Sequence, residues 1–409
     1  MKNTPFRKAE DFYQASIYLL AFSIPVLKYG IQVPIILLIV AWLFAKKEID
    51  KKVLIPILLF VSIYIFHLVA MLYTENVDRG VKDLMQKLSL LLFPVIIGTG
   101  PKLTKEGRVK GMQFFVLGAL VAVVLGFVSS AIAYSSSGII SEFYMSNFSY
   151  AHHPSYLSFY LVIALAMLLL RIEKATNSKK ALLLWLAVLF LSLSLIFPAS
   201  KMGFINWAMV LFVFLLKWLF FKPYYRKSAT LLLGAGLLFV LFLKFDPVAS
   251  ARVGKAVEVT AQLDQPSKES QIESNTARLY SWSTALHLIK QNPMGVGTGD
   301  INDAMVNSYE EKGLDELAAK NLNPHNEYLQ IAVALGILPA LLFLFSLVYP
   351  FGKITKNRDW IYGIFLLSVF IQFAVESMLE KQSGVIFFAF FNAFFFFSSS
   401  TEPKDVEAL

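Results

Sequence analysis

The sequence predicts an all-α polytopic membrane protein, and three observations lead to that fold class. Of the 409 residues, 57% are hydrophobic and only 16% are charged, whereas a soluble domain has about 25% charged residues. The 37 Phe, 17 Tyr and 6 Trp add apolar surface that lipid must cover. Apolar runs of roughly 20 residues, the length that crosses a bilayer, recur along the chain. The absence of Cys excludes a disulfide scaffold, thiol catalysis and zinc–thiolate sites.

About twelve apolar segments are long enough to be transmembrane helices. The fourth carries Asp83 and Lys87 in its first turns. The predicted spans are residues 12–28, 31–45, 53–73, 82–98, 111–134, 154–171, 181–197, 202–221, 229–245, 327–349, 360–379 and 383–399. They divide the chain into nine spans over 1–245, one large extracytoplasmic helical loop over 246–326, and three spans with a cytoplasmic tail over 327–409.

The distribution of Lys and Arg predicts the orientation of these spans. With the N-terminus in the cytoplasm, the inside connections hold 22 of the 37 basic residues, and the outside stretch 135–153 holds none. Both termini are therefore expected in the cytoplasm. The net charge of +9 is then largely a matter of topology, whereas a nucleic-acid-binding protein clusters its basic residues on one face of a soluble domain.

The 246–326 loop is expected to contain two or three short helices. The first runs from about residue 275 to 291, where Asn292-Pro293 ends it. Its apolar stripe at helical spacing consists of Leu279, Trp282, Leu286 and Ile289. The run Gly295–Gly299 is a tight turn whose N–H groups are a candidate for nesting a phosphate, although such glycines are more often simply a turn. Asp300 is expected to cap a second helix, and residues 314–320 form a third.

A group of polar residues lies where this loop returns to the membrane. The run from Asn323 to Tyr328 reads N-P-H-N-E-Y and precedes the tenth predicted span. Pro324 favours an extended residue before it, so the helix is expected to start near His325. Unpaired N–H groups at a helix start attract anions, and a histidine there can act as a base near neutral pH. The alternative is that His325 and Asn326 only cap the helix and that Tyr328 belongs to an aromatic belt.

This pattern resembles the signature of the O-antigen ligase and O-antigen polymerase superfamily. The resemblance rests on His325-Asn326-Glu327-Tyr328-Leu329 with Gly336 behind it, on Ser200-Lys201, on His153-Pro154-Ser155-Tyr156, and on Arg278 with Trp282 and the run Pro293–Asp300. The order and spacing of these matches cover roughly residues 150–400. Lys201 stands where the family usually has Arg, and lysine keeps the charge but loses the bidentate fork.

The resemblance implies a GT-C-like glycosyltransferase of the bacterial inner membrane, with its active site on the periplasmic face. It implies transfer of an O-antigen-like glycan from undecaprenyl pyrophosphate to an acceptor hydroxyl, with lipid A–core as the first choice. No metal or cofactor is implied, and direct attack by the acceptor would invert the sugar carbon. Polymerisation of repeat units and transfer to protein use the same kind of donor and stay open. The implied partners are the lipid-linked glycan, a glycolipid acceptor and membrane lipid, without nucleic acid.

Candidate site residues follow from that chemistry. Transfer leaves negative charge on the pyrophosphate, so fixed cations are needed, and Lys201 and Arg278 are the candidates. His325 is the candidate base for the acceptor hydroxyl. The candidates for substrate binding are Asn326, Glu327, Tyr328, His153 and Glu376. Glu376 and Glu380 are expected one turn apart on one face of the eleventh span. A snorkelling Lys201 and a solvated Arg278 are the structural alternatives.

Two other classes of function stay open. Twelve spans also fit a transporter or flippase, although transporters commonly show two similar halves and broken helices near the midplane. In this sequence a loop of about 80 residues interrupts only one half. A non-catalytic assembly subunit is the third possibility, and it predicts that Arg278 and His325 tolerate substitution. The sequence contains no P-loop, D-x-D or H-E-x-x-H motif, so nucleotide hydrolysis by a P-loop and a metalloprotease site are excluded.

Overall fold

The computed structural model describes residues 5–47, 49–221, 224–245 and 274–398, and within these ranges all regular structure is helical. The predicted all-α class is therefore confirmed. Residues 246–273 of the predicted loop and the predicted cytoplasmic tail lie outside the described residues.

The helices have the following bounds in chain order. They are α1 Pro5–Val26, α2 Gln32–Phe44, α3 Lys51–Ala70, α4 Val77–Lys87, α5 Ser89–Thr99, α6 Lys105–Ser137, α7 Met145–Phe148, α8 Pro154–Glu173, α9 Ser178–Ser194, α10 Lys201–Leu216, α11 Tyr225–Phe245, α12 Ser274–Gln291, α13 Ile301–Glu311, α14 Asp315–Ala319, α15 Glu327–Leu335, α16 Ile337–Val348, α17 Phe351–Asn357, α18 Trp360–Phe373 and α19 Gln382–Phe397. Short turns of helix add Ile140–Phe143, Lys217–Phe221 and Met378–Glu380.

Five segments among the described residues are long and apolar enough to cross a membrane. They are Lys51–Ala70, Lys105–Ser137, Pro154–Glu173, Lys201–Phe221 and Ile337–Asn357. The helices α2, α18 and α19 are apolar but shorter. This is the pattern of an integral membrane protein, and the number of twelve spans stays a prediction.

The centre of the molecule is formed by α8 and α19. Both helices are apolar on every side, which is typical of a helix that is buried all round. Every side chain of α8 from Tyr156 to Leu169 is buried. The phenylalanines of α19 pack edge-on against neighbouring rings, as Phe391 does against Phe115 at 4.6 Å between ring centroids. This core holds the ends of the surrounding helices in fixed positions.

Two predicted spans consist of two helices each. The predicted span 82–98 covers the end of α4 and most of α5, which are separated at Leu88. The predicted span 327–349 is interrupted at Gly336, whose φ is +90°. A Cβ at Gly336 would lie 2.5 Å from the carbonyl oxygen of Pro293. The interruption therefore makes room for the glycine-rich turn, and only glycine fits there.

The glycine-rich turn completes the hydrogen bonds at the end of α15. Val296 donates its N–H to the carbonyl of Val333 at 2.8 Å, and Gly297 donates to that of Ala334 at 3.0 Å. The last carbonyls of a helix need such partners because no residue of the helix can supply them. Two N–H groups of the proposed phosphate nest are thus occupied by α15.

Asp300 binds a different element from the one predicted. It precedes α13 but makes no capping hydrogen bond with that helix. Its carboxylate accepts the N–H groups of Glu75 at 2.9 Å and Asn76 at 2.7 Å. Asp300 therefore occupies the predicted N-cap position, but its side chain does not cap α13, because the start of α4 offers two N–H donors to the same carboxylate. This contact ties the start of α13 to the start of α4.

The helix α12 buries a different face from the predicted stripe. Leu279 and Leu286 are 47% and 50% exposed, whereas Ser281 and Ala285 are fully buried. Tyr309 of α13 donates its hydroxyl to Ser281 at 2.8 Å. The small residues of α12 let α13 and α15 approach closely, and size rather than hydropathy decides which face is buried.

A buried ionic centre joins α3, α4, the glycine-rich turn and the turn before α19. Lys87 is 1% exposed and contacts the carboxylate of Asp83 as well as that of Glu380, the latter at 2.8 Å. His67 Nδ1 lies 3.7 Å from Asp83, and Thr298 donates its hydroxyl to the His67 carbonyl at 2.7 Å. Asp83 and Lys87, the two charged residues in the first turns of the fourth predicted span, therefore form an ion pair with each other.

Replacing Lys87 with Met is expected to destabilise the fold by about 3 kcal/mol, because Asp83 and Glu380 then stay buried without a counter-charge. The free energy of unfolding of the purified chain in detergent measures this loss of stability. The exposed pair Arg79–Asp303, 3.3 Å apart, is the matched control, and R79A should cost less than about 1 kcal/mol. Equal losses in the two variants would contradict the role of burial.

Candidate functional site

The motif at the start of α15 forms a turn that separates His325 from the helix behind it. The Asn323 side chain accepts the N–H of His325 at 3.0 Å. His325 has a φ of +46°, in the left-handed region that residues other than glycine rarely adopt. Asn326 then caps α15 by accepting the N–H of Leu329 at 3.1 Å. The helix begins at Glu327 rather than near His325, and the imidazole is not part of the cap.

Asn326 and Glu327 bind this first turn to the loop between α18 and α19. The backbone N–H of Asn326 donates to the Ser377 hydroxyl at 3.1 Å, and its side-chain amide donates to the Ala374 carbonyl at 2.9 Å. The fully buried Glu327 accepts the N–H of Leu379 at 2.7 Å. The two segments are therefore held together from both sides of Glu376.

Glu376 lies between an imidazole and a guanidinium. Its Oε1 is 3.6 Å from His325 Nδ1, and its Oε2 is 3.8 Å from Arg278 Nη2. Because α18 ends at Phe373, the prediction that Glu376 and Glu380 share a helix face is wrong. Glu376 is in the loop and points to His325, whereas Glu380 is in the following turn and points to Lys87.

The charges around Glu376 keep it ionised. Burial alone would raise the pKa of its carboxyl group, but contact with His325 and the charges of His153 and Arg278 outweigh burial and lower that pKa. The side chain is only 13% exposed. A carboxylate in this position orients the imidazole and the guanidinium at the same time.

His153 and Lys381 lie close enough to the cluster to share its electrostatics. His153 precedes α8, with Pro154 in the first turn. Burial lowers the pKa of His153, Glu376 opposes that effect, and the charges of His325 and Lys381 lower the pKa further. His153 is therefore neutral at pH 7. Lys381 is a cation that sequence reasoning missed, since its only signal was its place in an outside connection.

Lys201 is the first residue of α10, at the end of the bundle that carries the cluster. Gly203 packs directly against Ser158, one turn into α8. Asn206 donates its side-chain amide to Gln372, close to the end of α18, at 3.3 Å. The start of α10 therefore lies beside the start of α8 and the end of α18, the elements that flank His153 and Glu376.

Three predicted binding residues make internal contacts. Asn326 and Glu327 hold the loop as described, and Tyr328 donates its hydroxyl to the Phe370 carbonyl at 3.3 Å. Their contact with substrate stays a prediction, and their observed contacts position Glu376. Within the described ranges, no three His, Asp or Glu side chains converge in a way that could hold a metal ion.

The arrangement suits proton transfer beside an anion. His325 Nδ1 faces a carboxylate and has no hydrogen-bond partner among the described residues, so the other ring nitrogen is the one that can accept a proton from a ligand. Arg278 is 25% exposed and offers a forked set of donors. An imidazole and a guanidinium thus lie on either side of one carboxylate.

Comparison with known proteins finds a family resemblance. Residues 155–344 match a family model described as O-Antigen ligase. A Rickettsia conorii protein named "Putative polysaccharide ligase" is 25% identical over 62% of this chain and 57% of its own length. Proteins of the same description from Rickettsia typhi and Rickettsia felis are 24% and 27% identical, over 59% and 61% of this chain and 55% and 57% of their own lengths.

The chain thus spans little more than half the length of these relatives. The matched family region contains Lys201, Arg278 and His325, and it ends before Glu376. The three positions expected from the sequence to carry chemistry therefore lie inside the region that defines the family. These matches confirm the resemblance to the O-antigen ligase superfamily.

Proposed function

We propose that this chain is a membrane glycosyltransferase that transfers an O-antigen-like glycan from undecaprenyl pyrophosphate to a hydroxyl group of lipid A–core. The observation that carries the proposal is the contact of Glu376 with both His325 and Arg278 at the start of α15. The family match supports a membrane glycan ligase. The proposal includes a GT-C-like arrangement of about twelve spans in the bacterial inner membrane, with cytoplasmic termini and a periplasmic site.

His325 is the proposed general base. With Nδ1 facing Glu376, Nε2 takes the proton of the acceptor hydroxyl. The hydroxyl oxygen forms a bond to the sugar C1, the bond from C1 to the pyrophosphate oxygen breaks, and the pyrophosphate leaves with the electron pair. Glu376 stabilises the imidazolium that results. Direct attack from the face opposite the leaving group inverts the sugar carbon.

Arg278 and Lys201 are proposed to stabilise the leaving pyrophosphate. Charge that develops on a leaving group is stabilised most effectively by cations already held in place. Arg278 can donate two parallel hydrogen bonds to a phosphate, and Lys201 supplies a single point charge. The neutral His153 is proposed to hydrogen-bond the sugar or a phosphate oxygen.

Replacing His325 with Ala is expected to lower kcat at least about 100-fold, because the acceptor hydroxyl loses its base. Transfer from an undecaprenyl-pyrophosphate-linked glycan to lipid A–core, in liposomes containing the purified chain, measures the rate. His287 is exposed on α12, and H287A is the matched control that should keep its activity. Undiminished transfer by H325A, with H287A also active, would exclude His325 as the base.

Replacing Arg278 with Ala is expected to lower kcat by about 10²- to 10³-fold, because an oriented cation is lost at the leaving group. R278K should fall between R278A and the unchanged chain, since it keeps the charge without the fork. K201A should lose activity, whereas K201R should retain it. Lys290 is exposed on the same helix as Arg278, so K290A is the control. Equal activity of R278A and K290A would contradict the assigned role.

The product distinguishes the ligase from the other members of the superfamily. With a donor that carries one repeat unit, a ligase gives lipid A–core bearing one unit. A polymerase instead gives longer glycans that stay on the undecaprenyl pyrophosphate, and a protein glycosyltransferase needs a protein acceptor. We expect the first product in an assay that contains all three acceptors, separated by electrophoresis and identified by mass spectrometry. Longer lipid-linked glycans without modified lipid A–core would establish the polymerase.

A further inference from the structure

A cavity of about 740 Å³ opens at the end of the bundle opposite to the candidate site. Its wall consists of the start of α3, the connection between α5 and α6, the helix α17 and the end of α19. Four lysines line it, namely Lys52, Lys102, Lys353 and Lys356. None of the described residues that line it is Asp or Glu.

Three of these lysines lack a carboxylate partner in the described part of the chain. Two described carboxylates are engaged elsewhere, since Asp50 accepts the backbone N–H of Lys52 at 3.0 Å and Asp359 is held by Arg108 at 2.8 Å. Lys52, Lys102 and Lys356 therefore line one cavity without a carboxylate partner among the described residues. Such a concentration of like charge favours binding of an anion.

Lys353 differs from the other three because it is bound to the wall. Its ammonium group donates to the Phe396 carbonyl and lies 4.6 Å above the centre of the Phe396 ring. Phe397 and Tyr349 continue this aromatic surface. The cavity thus combines a positively charged opening with an apolar wall, which a small inorganic ion does not need.

The cavity and the ionic centre at Lys87 lie at opposite ends of α3. The helix α3 begins beside the cavity at Lys52 and reaches the ionic centre at His67. From Lys52 to His67 the helix rises about 22 Å at 1.5 Å per residue, which is most of the roughly 30 Å hydrocarbon core of a bilayer. The cavity therefore lies at the lipid headgroup level opposite the candidate site, where the charge bias predicts the cytoplasmic leaflet and its anionic lipids.

We propose that this cavity binds the phosphate-containing headgroup of an anionic phospholipid. Its volume lies in the range of about 300–1,000 Å³ that is typical of sites for small organic molecules, and it exceeds what one inorganic phosphate needs. The general excess of lysine on cytoplasmic loops requires no convergence, yet these lysines come from three separate segments and meet around one space. Lys52, Lys102 and Lys356 bind the phosphate, and the aromatic wall contacts the glycerol and acyl carbons. This inference does not depend on the proposed transferase activity.

The test uses the full chain in a neutral detergent and a fluorescent short-chain phosphatidylglycerol as the probe. The triple variant K52Q/K102Q/K356Q is expected to raise the Kd for this lipid at least about tenfold. Lys174, Lys179 and Lys180 are exposed on the same predicted side but outside the cavity, so K174Q/K179Q/K180Q is the matched control and should leave the Kd unchanged. The melting temperature of each variant shows whether it is folded.

Three outcomes would overturn the proposal. Equal weakening by the two triple variants would mean that only general surface charge attracts the lipid. Equal affinity for phosphatidylcholine and phosphatidylglycerol would mean that the negative charge of the headgroup is not recognised. Displacement of the lipid by inorganic phosphate at the lipid's own concentration would identify a soluble phosphate as the ligand instead.

Discussion

The attachment of the loop between α18 and α19 to the first turn of α15 is the constraint on which the candidate site depends. Backbone donors and acceptors at the end of a membrane helix need partners, because the apolar surroundings supply none. Asn326 and Glu327 supply those partners for the Ala374 carbonyl and the Leu379 N–H, and the Ser377 hydroxyl accepts the backbone N–H of Asn326. The same hydrogen bonds bring the neighbouring carboxylate of Glu376 to within 3.6 Å of His325.

One loop carries two carboxylates that face different centres. Glu376 faces His325 and Arg278, whereas Glu380 faces the buried Lys87. A buried charge is tolerated only with a partner, so each carboxylate holds its part of the loop in one position. The ionic centre thereby holds the end of this loop at Glu380, and α15 holds the part of the loop around Glu376.

The sequence predicts those features that depend on neighbouring residues. The bounds of α8, the end of α12 at Gln291 and the polar character of the α15 start follow from hydropathy, proline and capping residues. The contacts of Glu376 did not follow from the sequence, because the residue that donates a hydrogen bond to its neighbour Ala374 is Asn326, some 50 positions away. The prediction of the buried face of α12 was wrong, because that face is formed by the small residues Ser281 and Ala285 and not by the apolar stripe. Both features depend on contacts between residues that are far apart in the sequence, and a local sequence pattern does not predict such contacts.

Arg278 is shared between the charge balance of the protein and the proposed donor. Its Nη2 is 3.8 Å from Glu376, which is longer than the 2.7–2.9 Å of a close charge-assisted hydrogen bond. A pyrophosphate carries more negative charge than one carboxylate and therefore competes for the guanidinium. With the proposed donor bound to Arg278, Glu376 would keep His325 as its remaining partner at 3.6 Å. One carboxylate would thus connect the proposed donor site with the proposed base.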